Sequence, residues 1–416
     1  MQDLHPINMH MHTHFSFNAL GLSPSALVKE AVARGLYAAA ICDFDVLDGL
    51  KEFYAAGDEA GFRVAAGLET RVFFSEYAGD EINSPGEPGV YYFMGMGFGR
   101  VPDADSPAAK TLAQLRRRAS QRNQALVERI NQAYPEMAVD YVSDVLPLTP
   151  SGNATERHIV SAYILKVRAA AKHDPDFERT TWGKALGLPQ DKLAAVLRDE
   201  VALQNTIRSK LMKAGGVGYV QPDYATFPPL ETVIAMILDA GAIPMAAWLD
   251  GLSSGERDMA TQLECLRAKG VAALNIVPDR SWNIADPEKR KIKIEKMYDV
   301  VNVANRMQLP INAGTELNSF GQPFVDDFES EALRPLWPDF MRGANIMIGQ
   351  ARLARFAGVS YCDPAAQSAF GPDTTARNDC FERIGRLPCP GAAERARLLE
   401  MGRERAFAAL MDSARR

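Results

Sequence analysis

Apolar and polar positions along the chain follow two alternating periods. Residues 7–12 form a short alternating run. Residues 23–34 then open on Ser-Pro, place Leu27, Val28, Ala31 and Val32 at helical spacing, and stop at Gly35. Residues 37–44 read as a strand, 50–60 as a helix, 63–74 as a strand and 91–98 as a fourth strand. This βαβα rhythm predicts parallel strands joined by right-handed crossovers. The rhythm stops between residues 103 and 222, where Ala, Arg, Lys and Gln prevail and helical periodicity covers 108–133, 156–172 and 190–213. It resumes with helix 231–240, strand 242–250, helix 260–269, strand 271–277, helix 291–306 and strand 311–317. Seven strands interleaved with helices predict a closed or nearly closed (β/α) barrel.

The expected organisation is a first barrel half over 1–102, a helical insertion over 103–222, a second barrel half over 223–330 and a mostly helical extension over 331–416. Two readings stand for the extension: its helices pack on the barrel, or they form a homodimer interface. Arg116-Arg117-Arg118 in the insertion reads as a solvated helix face. The glycines at 95, 97 and 99 read as a strand end in close packing rather than a phosphate loop.

Composition narrows the class. The 416 residues are 47% hydrophobic and 24% charged, enough apolar material for a sizeable core, which excludes disordered and fibrous classes. No run reaches the roughly 18 apolar residues of a membrane span, and the best stretch, 233–248, is broken by Asp239. The first six residues carry neither the basic nor the apolar region of a signal peptide. Five cysteines without metal-type spacing read as reduced thiols, so a cytoplasmic location is expected. A net charge of −6 argues against nucleic-acid binding.

In such barrels the working residues sit at the carboxyl ends of the strands. The predicted strands end in His10 and His12, in Asp43 and Asp45, in Glu69, in Trp248 and Asp250, in Asn275, and in Glu316 and Asn318. Only the fourth, around 94–98, offers nothing ionisable. Four of the chain's six histidines fall within its first fourteen residues, and His10 and His12 share one face of a strand. Two imidazoles supported by carboxylates from other strands suit Zn²⁺, Mn²⁺ or Fe²⁺. The plainer alternative is a surface-exposed His-rich terminus.

Asn8-Met9-His10-Met11-His12-Thr13-His14-Phe15-Ser16 resembles the opening motif of the PHP (polymerase and histidinol phosphatase) family, D-L-H-x-H-T-x-x-S. Asp43-Phe44-Asp45 is similar to its T-D-H-D, Gly67-Leu68-Glu69 to its G-x-E, Ala246-Ala247-Trp248 to the site of its A-H-P, and Gly314-Thr315-Glu316-Leu317-Asn318 to its G-S-D-x-H. The resemblance implies an α/β fold, a distorted (β/α)7 TIM-like barrel with up to three metals that hydrolyses phosphoesters. Phe44, Trp248 and Asn318 stand where the family has histidines, so this would be a divergent member. The surviving set His10, His12, Glu69 and Glu316 implies one metal ion, with Asp43 or Asp45 contributing to a second.

On that resemblance the expected activity is a metal-dependent hydrolase, a phosphoesterase acting on a small anionic substrate. Asp43 or Asp45 would serve as general base, and Arg280, with Arg157 or His158, would grip the anion. His158 reads equally as a residue at the start of a helix capped by Thr155. Arg280, Trp282 and the loop between them suit an anionic or sugar-like ligand, or a salt-bridged anchor. Trp248, Asp250 and Asn318 complete the substrate-binding candidates, Trp248 being either a stacking platform or a plug. Two other classes remain open: a ligand-binding pseudo-hydrolase, and a single-metal enzyme working on a non-phosphate substrate such as a sugar acid.

Overall fold

In the computed structural model, which describes residues 4–371 and 373–415, seven strands lie side by side in chain order. They are β1 (Ile7–Met11), β2 (Ala38–Phe44), β3 (Arg63–Phe73), β4 (Val90–Met96), β5 (Ile243–Trp248), β6 (Ala273–Ile276) and β7 (Ile311–Ala313). The sheet closes where the end of β1 meets the segment after β7: His12 N–H donates to Glu316 O and Glu316 N–H to His10 O, both at 2.7 Å. Closure needs Gly314, because a Cβ there would collide with the His10 backbone and the Asn8 side chain. The result is a distorted seven-stranded α/β barrel whose strand faces are buried on both sides, which is why the strands read as near-continuous apolar runs.

One strand runs against the prediction. β4 pairs antiparallel with both β3 and β5. The connection from Phe73 to Val90 contains only the short turn Ser75–Tyr77 and no crossover helix, so only an antiparallel return is within reach. The signal was there to read, since residues 79–89 carry three glycines and two prolines. The reversal also explains the missing ionisable group: the end of β4 points to the barrel floor. There Gly95 packs on Ile237 and Gly99 on the Ala354 backbone, the close-packing role expected of these glycines.

Helices cover the strands. α1 (Pro24–Ala33) and α2 (Leu50–Ala60) follow β1 and β2, and Ser23 caps α1 by accepting from Ala26 N–H. The insertion comprises α3 (Pro107–Ala133), α4 (Glu156–Ala171), α5 (Phe177–Leu186), α6 (Gln190–Leu197) and α7 (Glu200–Ile207), with its own apolar cluster around Ile130, Tyr163, Trp182 and Leu203. It is pinned over the carboxyl end of the barrel. Asn153 donates to Phe15 O (3.1 Å) and Phe44 O (2.8 Å), and Arg116 pairs with Asp48 at 3.1 Å. Arg116 is therefore a tether rather than part of a solvated face, and Arg118 likewise donates to Ala225 O; Arg117 is exposed.

The second half adds α8 (Leu230–Asp239), α9 (Met259–Ala268), the short α10 (Asp279–Trp282) and α11 (Pro287–Arg306). The C-terminal part folds as α12 (Trp337–Phe356), α13 (Pro364–Phe370), α14 (Thr374–Arg386), α15 (Ala392–Glu400) and α16 (Arg403–Arg415). α12 crosses the barrel floor. Gln350 donates to Gly97 O (3.1 Å) and Gly241 O (2.8 Å), and Tyr37 donates to Asn345 (2.8 Å). Gly349 and Gly385 let α12 and α14 meet backbone to backbone. These helices thus lie on the barrel. No helix among the described residues is long and apolar enough to cross a membrane.

Candidate metal centre

β1 and β3 bring His10, His12 and Glu69 together at the closed end of the barrel mouth. One donor atom from each lies within 4.8 Å of the others, and all three side chains are buried. His12 Nε2 stands 3.2 Å from Glu69 Oε2 and His10 Nε2 3.6 Å from it. A bulge helps set this geometry: between Asn8 and Met11, β1 advances three residues while β2 advances two, from Ala39 to Ile41. Such an irregularity re-aims a side chain without breaking the sheet.

Both ring nitrogens of His10, Nε2 of His12 and Oε2 of Glu69 are buried without a hydrogen-bond partner. Each orphaned polar atom costs about 1–3 kcal/mol, and four in one cluster fit a cation that this donor set of two imidazoles and one carboxylate would coordinate. Burial alone would raise the Glu69 carboxyl; the two imidazoles against it outweigh that and hold it well below the usual carboxylate range.

The surroundings fix the His12 tautomer. Ser16 has one hydroxyl proton and donates it to Asp43 Oδ1 (2.7 Å), so toward His12 Nδ1 (2.9 Å) it can only accept. Nδ1 then carries the proton, and the Nε2 lone pair is left for an ion that Nε2 and Glu69 would share. Asp43 also accepts from Thr13 N–H and Thr13 Oγ1, both at 2.7 Å, and does not line the cavity. Phe44 packs on the His12 ring with centroids 4.4 Å apart.

Glu316 reaches the same mouth but is engaged by Arg280, Nη2 to Oε2 at 2.6 Å, and lies outside the three-residue cluster. Glu316 and Asp45 both hold left-handed backbones, φ 63° and 61°. Such strain in non-glycine residues collects at functional sites. Asp45 accepts from Thr70 Oγ1 at 2.5 Å, and burial pushes its carboxyl up despite Arg122 and Arg71 nearby.

Above the cluster lies a cavity of about 680 Å³. Of the residues singled out by sequence, Asp45, Glu69, Arg157, Trp248, Arg280, Glu316 and Asn318 line it. The Trp248 indole N–H is buried there without a partner. Arg157 bridges the insertion to the loop after β7, donating to Asn205 and Ser319 at 2.8 Å each. Besides Asp43 and the two cluster histidines, His158, Asp250 and Trp282 do not line it. His158 closes a capping box with Thr155 at the start of α4, the plainer of its two readings. Asp250 pairs with Lys293 at 3.0 Å, and Trp282 donates to Asp326 at 2.8 Å; both are tied into the loops beside the mouth.

The sequence reading missed the opposite wall. Arg71, Arg122, Arg208 and Lys213 all line the cavity. Arg71 was detectable, being two residues after Glu69 on one strand and hence on the same face. The other three come from the insertion, where no local signal marks which side of a helix faces the barrel.

Residues 8–151 match the PHP domain family model. No curated protein matches the chain. Among solved structures, an amidohydrolase from Chromobacterium violaceum with bound sulfate and no metal is 18% identical, with a TM-score of 0.51 over 81% of this chain and 96% of its own. A candidate metal-dependent phosphoesterase from Bifidobacterium adolescentis is 20% identical, with a TM-score of 0.50 over 80% of this chain and 96% of its own. At those identities the two structures establish likeness of fold. The family match spans β1 to β4 and includes His10, His12, Asp43, Asp45 and Glu69, so the resemblance to a PHP domain covers the first part of the barrel and the start of the insertion.

Proposed function

We propose that the protein is a metal-dependent hydrolase of a small phosphorylated or otherwise anionic metabolite. The observation that carries this reading is the cluster of buried, unpartnered donor atoms on His10, His12 and Glu69, of which Glu69 lines a cavity rich in arginine. A divalent ion held there supplies Lewis-acid charge at the ligand's reacting oxygen and makes water more acidic. Asp45, its carboxyl pushed up by burial and facing the cavity, takes or returns the proton. Arg280, oriented by Glu316, and Arg157 hold the anion. Asp43, saturated by Thr13 and Ser16, acts behind His12 as a positioning residue rather than as the base. The two solved structures of this fold, one an amidohydrolase and one a candidate phosphoesterase, leave the scissile bond to be assigned by assay.

The test is elemental analysis of protein purified without chelator, followed by phosphate release from a panel of phosphomonoesters with added Mn²⁺ or Zn²⁺. Stoichiometric metal and metal-dependent turnover are expected. Protein that neither holds nor takes up metal would end the reading. Metal without phosphate release would move the assignment to C–N bonds or sugar acids.

A second reading draws support from Phe44 and Trp248. Neither can ligate a metal, and both line the cavity where the resembling motifs carry histidine. On this reading the barrel binds an anionic ligand without turning it over, and full ligand affinity in a His12→Ala variant is its signature.

A further inference from the structure

The wall of the cavity facing the insertion is electrostatically unsettled. Arg71 on β3 and Arg122 on α3 both pack against the Phe227 ring, each guanidinium carbon 4.5 Å from its centroid. Two like charges on one buried aromatic repel unless something negative lies between or beside them. The nearby carboxylates have other partners: Asp45, close enough to act on both guanidiniums but not ion-paired with either, accepts from Thr70 Oγ1 at 2.5 Å. Glu156 accepts from Arg208 Nε at 2.7 Å and from Lys213 Nζ at 2.9 Å, while Glu87 reaches Arg71 only at 3.4 Å. Among the described residues no carboxylate lies within ion-pair distance of Arg122. Its Nε is buried without a partner, and its one hydrogen bond, to Thr226 O, is stretched to 3.5 Å. Burial and the neighbouring Arg71 pull its pKa down to about 10, so it stays cationic at neutral pH. A guanidinium with its Nε orphaned, no ion-pair partner and a second guanidinium beside it leaves donors that an anion would satisfy.

We propose that this wall is an oxyanion subsite in which Arg122 and Arg71, with Lys213 at its edge, hold a phosphate group of the ligand. Arginine offers paired N–H donors that match phosphate oxygens, and the subsite is separate from the Arg280–Glu316 pair on the opposite wall. The insertion supplies Arg122 and Lys213, so the helices absent from a bare barrel would select the ligand by its charge. The inference rests on the hydrolase reading only in taking that ligand to be a substrate.

The experiment is calorimetric titration of chelator-treated protein with inorganic phosphate and, separately, with phenyl phosphate. Wild-type binding is expected to weaken at least tenfold in Arg122→Met. Arg122→Lys, which keeps the charge and the stem but loses the fork, is expected to weaken binding several-fold, and it carries the test should Arg122→Met misfold. Binding of phenyl phosphate tighter than that of inorganic phosphate identifies a group borne on a larger ligand; equal binding identifies a free ion, and either supports the subsite. Absence of wild-type binding, or binding unchanged in the Arg122 variants, overturns it. Because no metal is present, the result is independent of the cluster. A protein that takes up no metal loses the hydrolase reading and keeps this one, whereas Arg122-independent binding does the reverse.

Discussion

Nδ1 of His12 lies 2.9 Å from the hydroxyl of Ser16, and that contact decides which ring nitrogen is free. With the Ser16 proton committed to Asp43, the ring presents Nε2 to Glu69. Replacing Ser16 by Ala removes the acceptor that selects the tautomer. Asp43 keeps both Thr13 contacts, so the loop stays folded. The expected result is a loss of metal affinity of about 10- to 100-fold, the usual consequence of removing such a support. Competition against a chromophoric chelator measures it, and unchanged affinity in Ser16→Ala would show that the relay does nothing for the ion.

His12→Ala and Glu69→Gln remove ligand atoms themselves. Each leaves too few donors to hold a divalent ion, so bound metal should fall from stoichiometric to background, and any turnover with it. In the free protein Glu69→Gln also removes a carboxylate that the two imidazoles favour. Its thermal midpoint without metal should therefore not exceed that of the wild type, while added metal should stabilise only the wild type. Metal-induced stabilisation of Glu69→Gln equal to the wild type's would place the ion elsewhere.

The Arg280–Glu316 pair is buried at the carboxylate end and about one-third exposed at the guanidinium. Arg280→Met strands the carboxylate, and Glu316→Gln strands the guanidinium less severely, because water reaches it. We expect the first to cost about 1–3 kcal/mol and the double variant to recover part of it, a coupling of roughly 1 kcal/mol after solvent screening. Urea unfolding of the four proteins measures the cycle. Strict additivity would mean that the 2.6 Å contact does not persist in solution.

The metal cluster was legible because strand ends have a fixed geometry. Alternation put His10 and His12 on one face, and the matching carboxyl end of β3, one strand beyond β2, put Glu69 beside them. Ser16 sat in the recognised motif, but its service to His12 depends on the turn from Thr13 to Ser16, which no periodicity reports. The direction of β4 was misread because the βαβα rhythm was extended across a Gly- and Pro-rich link too short for a crossover. Arg122, Arg208 and Lys213 were out of reach for a different reason. What turns the insertion toward the mouth is tertiary contact, such as Asn153 on Phe15 and Phe44, and helical periodicity alone cannot distinguish the barrel side from the solvent side. The pairing of Glu316 with Arg280 likewise follows from the left-handed turn at 316, not from residue type.

His158 belongs to the fold's acid tolerance rather than to its chemistry. Its Nδ1 accepts from Thr155 N–H at 3.1 Å at the start of α4, and burial pulls its pKa down from 6.5 to about 4. The unfolded chain therefore takes up this proton at higher pH than the folded one. Above about pH 7 both states are neutral here and the group contributes nothing to the pH dependence. As pH falls from about 6.5 to about 4, the unfolded state alone is protonated, and stability should drop by on the order of 3 kcal/mol from this residue. Below pH 4 the loss levels off. His158→Gln keeps an acceptor in the capping box but cannot titrate. Its stability should match the wild type's near pH 8 and exceed it increasingly down to pH 4, measured by urea unfolding at fixed ionic strength. Parallel curves for the two proteins across that window would mean that His158 is protonated in the native state and that the cap does not hold it neutral.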